Sequence, residues 1–113
     1  MADLETIRAR LVRLCESKRS RRVIFTSDAP SQWQPRQFTD PRTRQAFTDE
    51  GAWTYISRAL SDGAAIEEIV LERPPGASAY VLLLPGANSR KLYVKLQICG
   101  DHVRGRSFHE SEF

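Results

Sequence analysis

The fold is decided near the carboxyl end, where residues 92–109 read LYVKLQICGDHVRGRSFH. Apolar and polar residues alternate over residues 92–98, which is the pattern of a strand with one buried face. Gly100 and Asp101 fit the two-residue turn of a type II′ hairpin, because glycine supplies the positive φ that the first turn position requires. Residues 103–109 return as the second strand. The stretch therefore predicts an antiparallel β-hairpin.

The predicted turn fixes which residues of the two strands lie opposite each other. If the residues that flank the turn pair with each other, six side chains share one face of the hairpin, and the other face is an apolar core face. The shared face would hold three cations, an amide and two aromatic rings. They form three cross-strand pairs: Gln97 with Arg104, Lys95 with Arg106, and Tyr93 with Phe108.

This predicted face suits RNA. Lys95 and Arg106 repel each other across the hairpin, and phosphates between them would remove the repulsion. Tyr93 and Phe108 could stack unpaired bases. The alternative interpretation is a solvated sheet face with an ordinary aromatic pair, because charged outer faces are common in antiparallel sheets.

The other elements predict a small α+β domain. Residues 4–18 have the apolar spacing of an amphipathic helix, with Asp3 as its N-cap. A second helix begins at residue 48 or 49 and ends before Gly63. We expect two helices packed on one face of a small, mainly antiparallel sheet, in one domain spanning residues 1–113. Further strands are predicted at residues 23–26, 66–72 and 80–84, the last one covered on both faces.

Residues 27–47 are the least regular part of the sequence. Three prolines remove backbone donors there, and such a long irregular run is unusual in a compact domain. Either Trp33, Phe38 and Phe47 pack the segment down at a few points, or the segment is a mobile arm.

Charge is distributed unevenly along the chain, although the net charge is only +3. Residues 1–22 hold seven basic and three acidic side chains, and residues 90–109 hold five basic ones and one aspartate. Between them, residues 49–72 hold six acidic side chains and one arginine. Two basic blocks flanking an acidic one permit an anionic partner such as RNA.

The amino-terminal residues and the cysteine content predict a soluble, cytoplasmic protein. The sequence MADLETIRAR lacks the apolar core of a secretory signal, and no stretch approaches the roughly 20 apolar residues of a membrane span. Two cysteines make no disulfide framework. We expect neither a membrane partner nor a small-molecule cofactor.

His109 follows Phe108 at the end of the hairpin. Histidine is the side chain best suited to proton transfer near neutrality, although a solvated surface histidine is the common alternative. A zinc site built from Cys15, Cys99, His102 and His109 would lack the paired spacing of zinc ligands, so no metal is expected.

Three short runs resemble the carboxyl end of the MqsR family. They are LYVKLQI at residues 92–98, then His102-Val103, then Ser107-Phe108-His109-Glu110. That family comprises ribosome-independent mRNA interferases of RelE-like fold, which are the toxins of toxin–antitoxin pairs. The resemblance covers residues 50–112, through an aromatic helix reaching Ser61-Asp62, a strand and Arg73-Pro74. The first 47 residues do not match.

The resemblance implies an RNA-cleaving site. Tyr93 matches the family's active-site tyrosine and Lys95 its strand lysine. His109 stands where the family typically has a lysine, and Tyr55 falls where a helix lysine would lie. The family's strand glutamine has no clear counterpart here.

On this hypothesis, His109 is the acid or base, Tyr93 orients or donates a proton, and Lys95 holds the phosphate together with Arg106. Flanking nucleotides would contact the remaining members of the predicted site, which are Arg104, Gln97, Phe108 and Tyr55. The resemblance also implies a cognate antitoxin protein as partner. Two alternatives stay open: a non-catalytic RNA- or protein-binding module, and an interaction protein that binds through its acidic segment 62–72 or through residues 27–47.

Overall fold

Two α-helices, two short 3-10 helices (Pro35–Gln37 and Ala87–Ser89) and a six-stranded sheet are the regular elements of the described residues. The computed structural model describes residues 3–23, 32–72 and 75–111. Its elements are α1 (Leu4–Glu16), β1 (Arg21–Val23), β2 (Gln32–Trp33), α2 (Asp49–Ser61), β3 (Glu67–Val70), β4 (Ser78–Pro85), β5 (Lys91–Cys99) and β6 (His102–Glu110).

The sheet is mainly antiparallel and carries both helices on one face. Its strand order is β1-β6-β5-β4-β3, and β2 also pairs with β6. Strands β3 to β6 are antiparallel neighbours, whereas β1 and β2 run parallel to β6. The predicted α+β architecture is therefore confirmed. The core between the layers contains fully buried side chains from both, among them Leu11, Ile56, Leu60, Leu82, Val94 and Phe108.

Both helices begin with a side-chain cap, Asp3 as predicted for α1 and Thr48 at the predicted start of α2. The Asp3 carboxylate accepts from the Thr6 amide at 2.8 Å, and the Thr48 hydroxyl accepts from the Gly51 amide at 2.9 Å. Each cap satisfies an amide that the first helical turn leaves free. Helix α1 ends at Glu16, earlier than predicted. No helix of the described residues is long and apolar enough to cross a membrane.

Strands β5 and β6 form the predicted hairpin. Cys99 pairs with His102, and Gly100 has a φ of +62°, so the two-residue turn with glycine first is confirmed. Gln97 pairs with Arg104, also as predicted. Further from the turn, a β-bulge shifts the register by one residue.

The irregular segment 27–47 is described from residue 32 onward. There Trp33 and Phe47 are buried in the core and Phe38 is half-buried against it. Residues 24–31 lie outside the described residues, and with them most of the strand predicted at 23–26. Residues 32–47 therefore pack against the domain.

Over residues 80–84, strand β4 is covered on both faces except at Leu83, which corrects in part the prediction that this whole stretch is covered on both faces. Leu82 and Leu84 are buried between sheet and helices, and Val81 is buried on the opposite side, whereas Leu83 on that side is 52% exposed. Strand β3 is shorter than predicted, and its first residue, Glu67, pairs with Val81. The end of β4 beyond that pair is therefore a sheet edge.

Candidate nucleic-acid interface

The sheet face turned away from α1 and α2, which we call the outer face, collects cationic and aromatic side chains. Alternation along each strand decides which residues it holds. On β5 these include Lys91, Tyr93, Lys95 and Gln97, because Leu92, Val94 and Leu96 are buried on the helix side. Pairing places on the same face Arg22 of β1, Gln32 of β2, and His102, Arg104, Ser107 and His109 of β6.

The β-bulge adds Arg106 to the outer face. Leu96 pairs with Gly105, but the next residue back along β5, Lys95, pairs with Ser107. Arg106 is therefore the extra residue of β6, and its guanidinium reaches over the outer face. From Ser107 onward, the alternation of β6 is inverted relative to a regular hairpin.

The same shift removes Phe108 from the outer face and corrects its predicted position in the RNA site. Phe108 is fully buried and meets Trp33 and Phe47 edge-on, with ring centroids 5.5 Å and 5.1 Å apart. A ring enclosed in the core cannot stack on a base. His109 takes its place opposite Tyr93.

Tyr93 and His109 form the centre of the outer-face cluster. Their ring centroids are 5.2 Å apart and the ring planes differ by 15°, so the two rings are stacked. Burial, and after it the negative charge of Glu67, raises the pKa of Tyr93. The phenol therefore keeps its proton at neutral pH, where it acts as a donor rather than as a base.

The backbone decides which nitrogen of His109 is available for proton transfer. Nδ1 lies 2.9 Å from the carbonyl oxygen of Glu110. A carbonyl only accepts hydrogen bonds, so the proton of the neutral ring is on Nδ1 and the lone pair is on Nε2. No described residue hydrogen-bonds to Nε2, so the ring presents one basic nitrogen to a ligand.

Lys95 and Arg106 form a cationic pair next to the stacked rings. Nη1 of Arg106 donates to Oε1 of Gln97 at 2.9 Å, and Gln97 is itself buried. Burial, and after it the charge of Arg106, lowers the pKa of Lys95. Because the two cations repel each other, an anion bound between them would stabilise the site.

A second polar group lies at the turn end of the outer face. Nε of Arg104 donates to Nε2 of His102 at 3.3 Å, and Nδ1 of His102 lies 3.2 Å from the Asp101 carboxylate. The side-chain hydrogen bond from His102 lowers the pKa of Asp101. Arg104 also pairs with Arg22 of β1, which places two arginines beside each other.

The structure does not bring Tyr55 to the outer face. Tyr55 belongs to the buried side of α2, where its ring stacks on Phe47 with centroids 5.6 Å apart. Its hydroxyl donates to the carbonyl oxygen of Pro85, and the Arg42 guanidinium lies 4.8 Å from its ring centroid. Tyr55 thus fixes α2 against the end of β4.

The four side chains weighed as zinc ligands do not converge. Among the described residues, no group of three or more His, Cys, Asp or Glu side chains is placed to hold a metal ion. Cys15 is fully buried on the helix side, and burial raises the pKa of its thiol to about 12. Cys99 and His102 flank the hairpin turn, whereas His109 lies at the other end of β6.

Sequence reasoning misses several outer-face residues, among them Arg22 of β1. Without a bulge, the register places Ser107 on the core face, but its hydroxyl lies 3.4 Å from the side-chain oxygen of Gln32 on β2, which is also missed. Leu83, opposite Tyr93, is missed as well. The available signal was Gly105, because an isolated glycine inside an alternating strand favours a bulge.

Fold and outer face together define a small α+β protein with a cationic sheet surface around a stacked tyrosine–histidine pair. Comparison of the chain with protein-family models, with curated proteins and with solved structures finds no match.

Proposed function

We propose that the protein is a metal-independent endoribonuclease that cleaves single-stranded mRNA on the outer face of its sheet. The observation that carries this proposal is the stack of Tyr93 on His109, with the basic Nε2 of His109 available on the strand pair that also bears Lys95. A base, a proton donor and fixed cations are the groups that cleavage of an RNA phosphodiester requires.

The nucleophile in this reaction is the 2′-hydroxyl of the RNA. Nε2 of His109 takes the hydroxyl proton while O2′ forms a bond to phosphorus. The bond between phosphorus and the 5′-oxygen breaks, and that oxygen takes a proton from the Tyr93 phenol or from the imidazolium just formed. The products are a 2′,3′-cyclic phosphate and a 5′-hydroxyl end.

Lys95 and Arg106 supply positive charge to the phosphate. Negative charge grows on the non-bridging oxygens as the transition state forms, and cations fixed in a partly desolvated site stabilise it. The hydrogen bond to Gln97 holds the Arg106 guanidinium over the face before substrate arrives. The phosphate would also relieve the repulsion that lowers the pKa of Lys95.

We further propose that the protein has a RelE/MqsR-like fold and is the cytoplasmic toxin of a toxin–antitoxin pair. In support, Tyr93, Lys95 and His109, the residues that resemble the MqsR active-site positions, share one face of two neighbouring strands. Both cysteines are free, as in a reducing compartment. The cognate antitoxin would bind the protein and suppress cleavage, and the protein expressed alone would arrest growth.

A non-catalytic RNA- or protein-binding module on the same scaffold is the second candidate. The raised pKa of Tyr93 favours it, because a phenol that holds its proton more firmly is a weaker acid for the 5′-oxygen. Such a module would keep the cationic face and bind RNA without cutting it.

Incubation of a single-stranded mRNA with the purified protein, with and without EDTA, tests the nuclease. We expect cleavage that EDTA does not reduce and cyclic phosphate at the new 3′ ends. His109→Ala should slow cleavage by about 100-fold or more, the usual contribution of a general acid or base, and leave RNA binding unchanged.

His102→Ala is the matched control, because His102 lies on the same face of the same strand but at the turn. At saturating RNA it should cleave at the wild-type rate, because its neighbour Arg104 contributes to binding and not to the chemical step. RNA binding without any cleavage by the wild type would establish the non-catalytic module instead. Equal cleavage by His109→Ala and the wild type would remove His109 from the mechanism.

A further inference from the structure

A cleft of about 580 Å³ opens at the β4 edge of the sheet, next to the outer face. Its walls are the second half of α2 from Tyr55 onward, the loop that follows this helix, the end of β4, and Arg42 from the segment before α2. The volume lies within the range of small-ligand sites, roughly 300–1,000 Å³. The proposed cleavage chemistry makes no use of this cleft.

Leu83 belongs to both the cleft and the outer face. It lines the cleft, and its exposed side chain lies opposite Tyr93. The amide of Gly86 donates to the carbonyl of Arg90, so these two residues form a hydrogen-bonded pair at the end of β4 and β5. Hydrogen-bonded and non-hydrogen-bonded pairs alternate along an antiparallel ladder, so Leu83 and Tyr93, three pairs away, have no backbone hydrogen bond between them. Side chains lie closest in such pairs. The cleft therefore begins directly beside the tyrosine–histidine stack.

The backbone of Leu83 offers a hydrogen-bond donor and an acceptor to the cleft. The Leu71 amide donates to the carbonyl of Ala77, which lies just before β4. Backbone groups alternate in direction along an antiparallel strand, so Ala79, Val81 and Leu83 also direct their N–H and C=O toward β3. The paired stretch of β3 reaches only to Val81. Two residues further on, the same groups of Leu83 have no strand partner among the described residues.

Arg58 and Asp62 add a cation and a carboxylate to the cleft lining. Arg58 is exposed and forms no ion pair with any described residue. Arg42, the other arginine of the lining, is already held by two hydrogen bonds to Asp40 at 3.0 Å and 3.2 Å. The cleft thus combines an apolar wall with donors and acceptors at fixed places.

We infer that this cleft is a nucleobase-binding subsite, which takes the base of a nucleotide next to the cleaved bond. The inference rests on the proposed function, because that function places the cleaved phosphate at Tyr93 and His109. An RNA strand lying there passes Leu83, where one base can turn around the β4 edge into the cleft. A base has flat faces that suit Leu83 and edge groups that suit Arg58 and Asp62.

Abasic scanning of an RNA oligonucleotide tests the subsite. The oligonucleotide carries one cleavage site, where a 2′-deoxy nucleotide blocks cutting so that binding is measured alone. Removing one base beside that site should weaken binding to the wild type by roughly tenfold, as expected for the loss of one stacked base. Leu83→Ala and Arg58→Ala should each weaken binding of the intact RNA, and Leu83→Ala should bind the abasic and intact RNAs equally.

Val70→Ala and Arg19→Ala are the matched controls. Val70 is 70% exposed on β3. Arg19 is an exposed arginine at the far end of α2 from the cleft, because its neighbour Lys18 forms an ion pair with Glu50 in the first turn of that helix. Both should bind RNA like the wild type, and the melting temperature of each variant shows that it is folded.

The outcomes separate the subsite from the nuclease. If Lys95→Ala loses RNA binding while Leu83→Ala, Arg58→Ala and every abasic position bind normally, the subsite is overturned and the outer-face site stands. If the wild type binds no RNA at all, both proposals fall.

Discussion

Lys95 shows how one side chain couples stability to ligand binding. The sequence predicts that it repels Arg106 from the opposite strand. In the structure Ser107 is the residue opposite Lys95. Arg106 is the neighbouring bulge residue, and its charge still acts on Lys95. The charged form of Lys95 is disfavoured in the folded protein, as its lowered pKa shows, with burial as the first cause and Arg106 as the second.

We therefore expect Lys95→Gln to stabilise the protein and to weaken RNA binding. At pH 7 the free energy of unfolding should rise by about 0.5 kcal/mol, the size of a like-charge cross-strand penalty. The pKa of Lys95 is lower in the folded protein than in the unfolded chain. The cost of keeping Lys95 charged in the folded protein is therefore fully present below the folded pKa, and it is lost as the pH rises above that value. The difference between variant and wild type should therefore shrink at alkaline pH.

Urea unfolding at neutral and alkaline pH measures this difference. Lys91→Gln is the control, because Lys91 is an exposed lysine at the start of the same strand and should leave stability unchanged. A less stable Lys95→Gln variant, or a difference that grows with pH, would contradict the account of Lys95.

Among the elements, the hairpin is predicted best at its turn and worst at its bulge. Gly100 decides the turn locally, and the first cross-strand pairs follow from it. Residues 104–107 include no apolar side chain, so the sequence leaves open which of them face outward. Phe108 decides the register by packing against Trp33 and Phe47, and no local pattern reveals that contact.

Long-range pairing limits the prediction of the other elements. Strands β1 and β2 are short, and each finds its parallel partner in β6, more than 70 residues later in the chain. Tyr55 lies on α2 beside an apolar stripe that includes Ile56 and Leu60, and its polar hydroxyl made an exposed role reasonable. The hydroxyl is satisfied inside by Pro85, a partner that the sequence does not indicate.

The bulge predicts a sharp effect for Gly105→Ala. A Cβ at this position would lie 2.7 Å from two ring atoms of Trp33, which is closer than van der Waals contact allows. Because Trp33 is buried, we expect a loss of about 1–3 kcal/mol in the free energy of unfolding, as for other overpacked cores. Cleavage should also fall, since a shifted bulge moves Arg106.

Trp33→Leu tests the cause of that loss. If the clash is responsible, Gly105→Ala should destabilise the Trp33→Leu protein much less than it destabilises the wild type, as measured by urea unfolding in a double-mutant cycle. Additive losses would show that the Trp33 ring is not what excludes a Cβ at residue 105.

At the scale of the whole molecule, the fold converts linear charge blocks into an asymmetric surface. Arg22 comes from the amino-terminal basic block, and the parallel pairing of β1 with β6 brings it beside Arg104 of the carboxyl-terminal block. The acidic block is carried by α2 and β3, and β3 is the opposite edge of the sheet. Only Glu67 of this block is placed by the strand register on the outer face, where it pairs with Val81 and lies in line with Lys95. The sequence predicts separate blocks, whereas only the sheet order shows that the basic ones meet.

This surface predicts how RNA binding depends on salt. The outer-face cations are Arg22, Lys91, Lys95, Arg104 and Arg106. If they contact three to four phosphates, the logarithm of the binding constant should fall with the logarithm of salt concentration with a slope of roughly −2 to −3 for a single strand. The double variant Lys95→Ala/Arg106→Ala should reduce that slope by about 1.4, because two phosphate contacts are lost.

A second double variant removes the same charge elsewhere. Arg13 and Arg19 are exposed, at the end of α1 and just after it, so neither lies on the outer face. Arg13→Ala/Arg19→Ala should therefore keep the wild-type slope, measured by fluorescence anisotropy of one labelled oligonucleotide across a salt series. A localised site distinguishes the outer-face pair of cations from the pair on α1 and after it. If both double variants reduce the salt slope equally, RNA responds only to the net charge of the protein and the outer-face site is wrong.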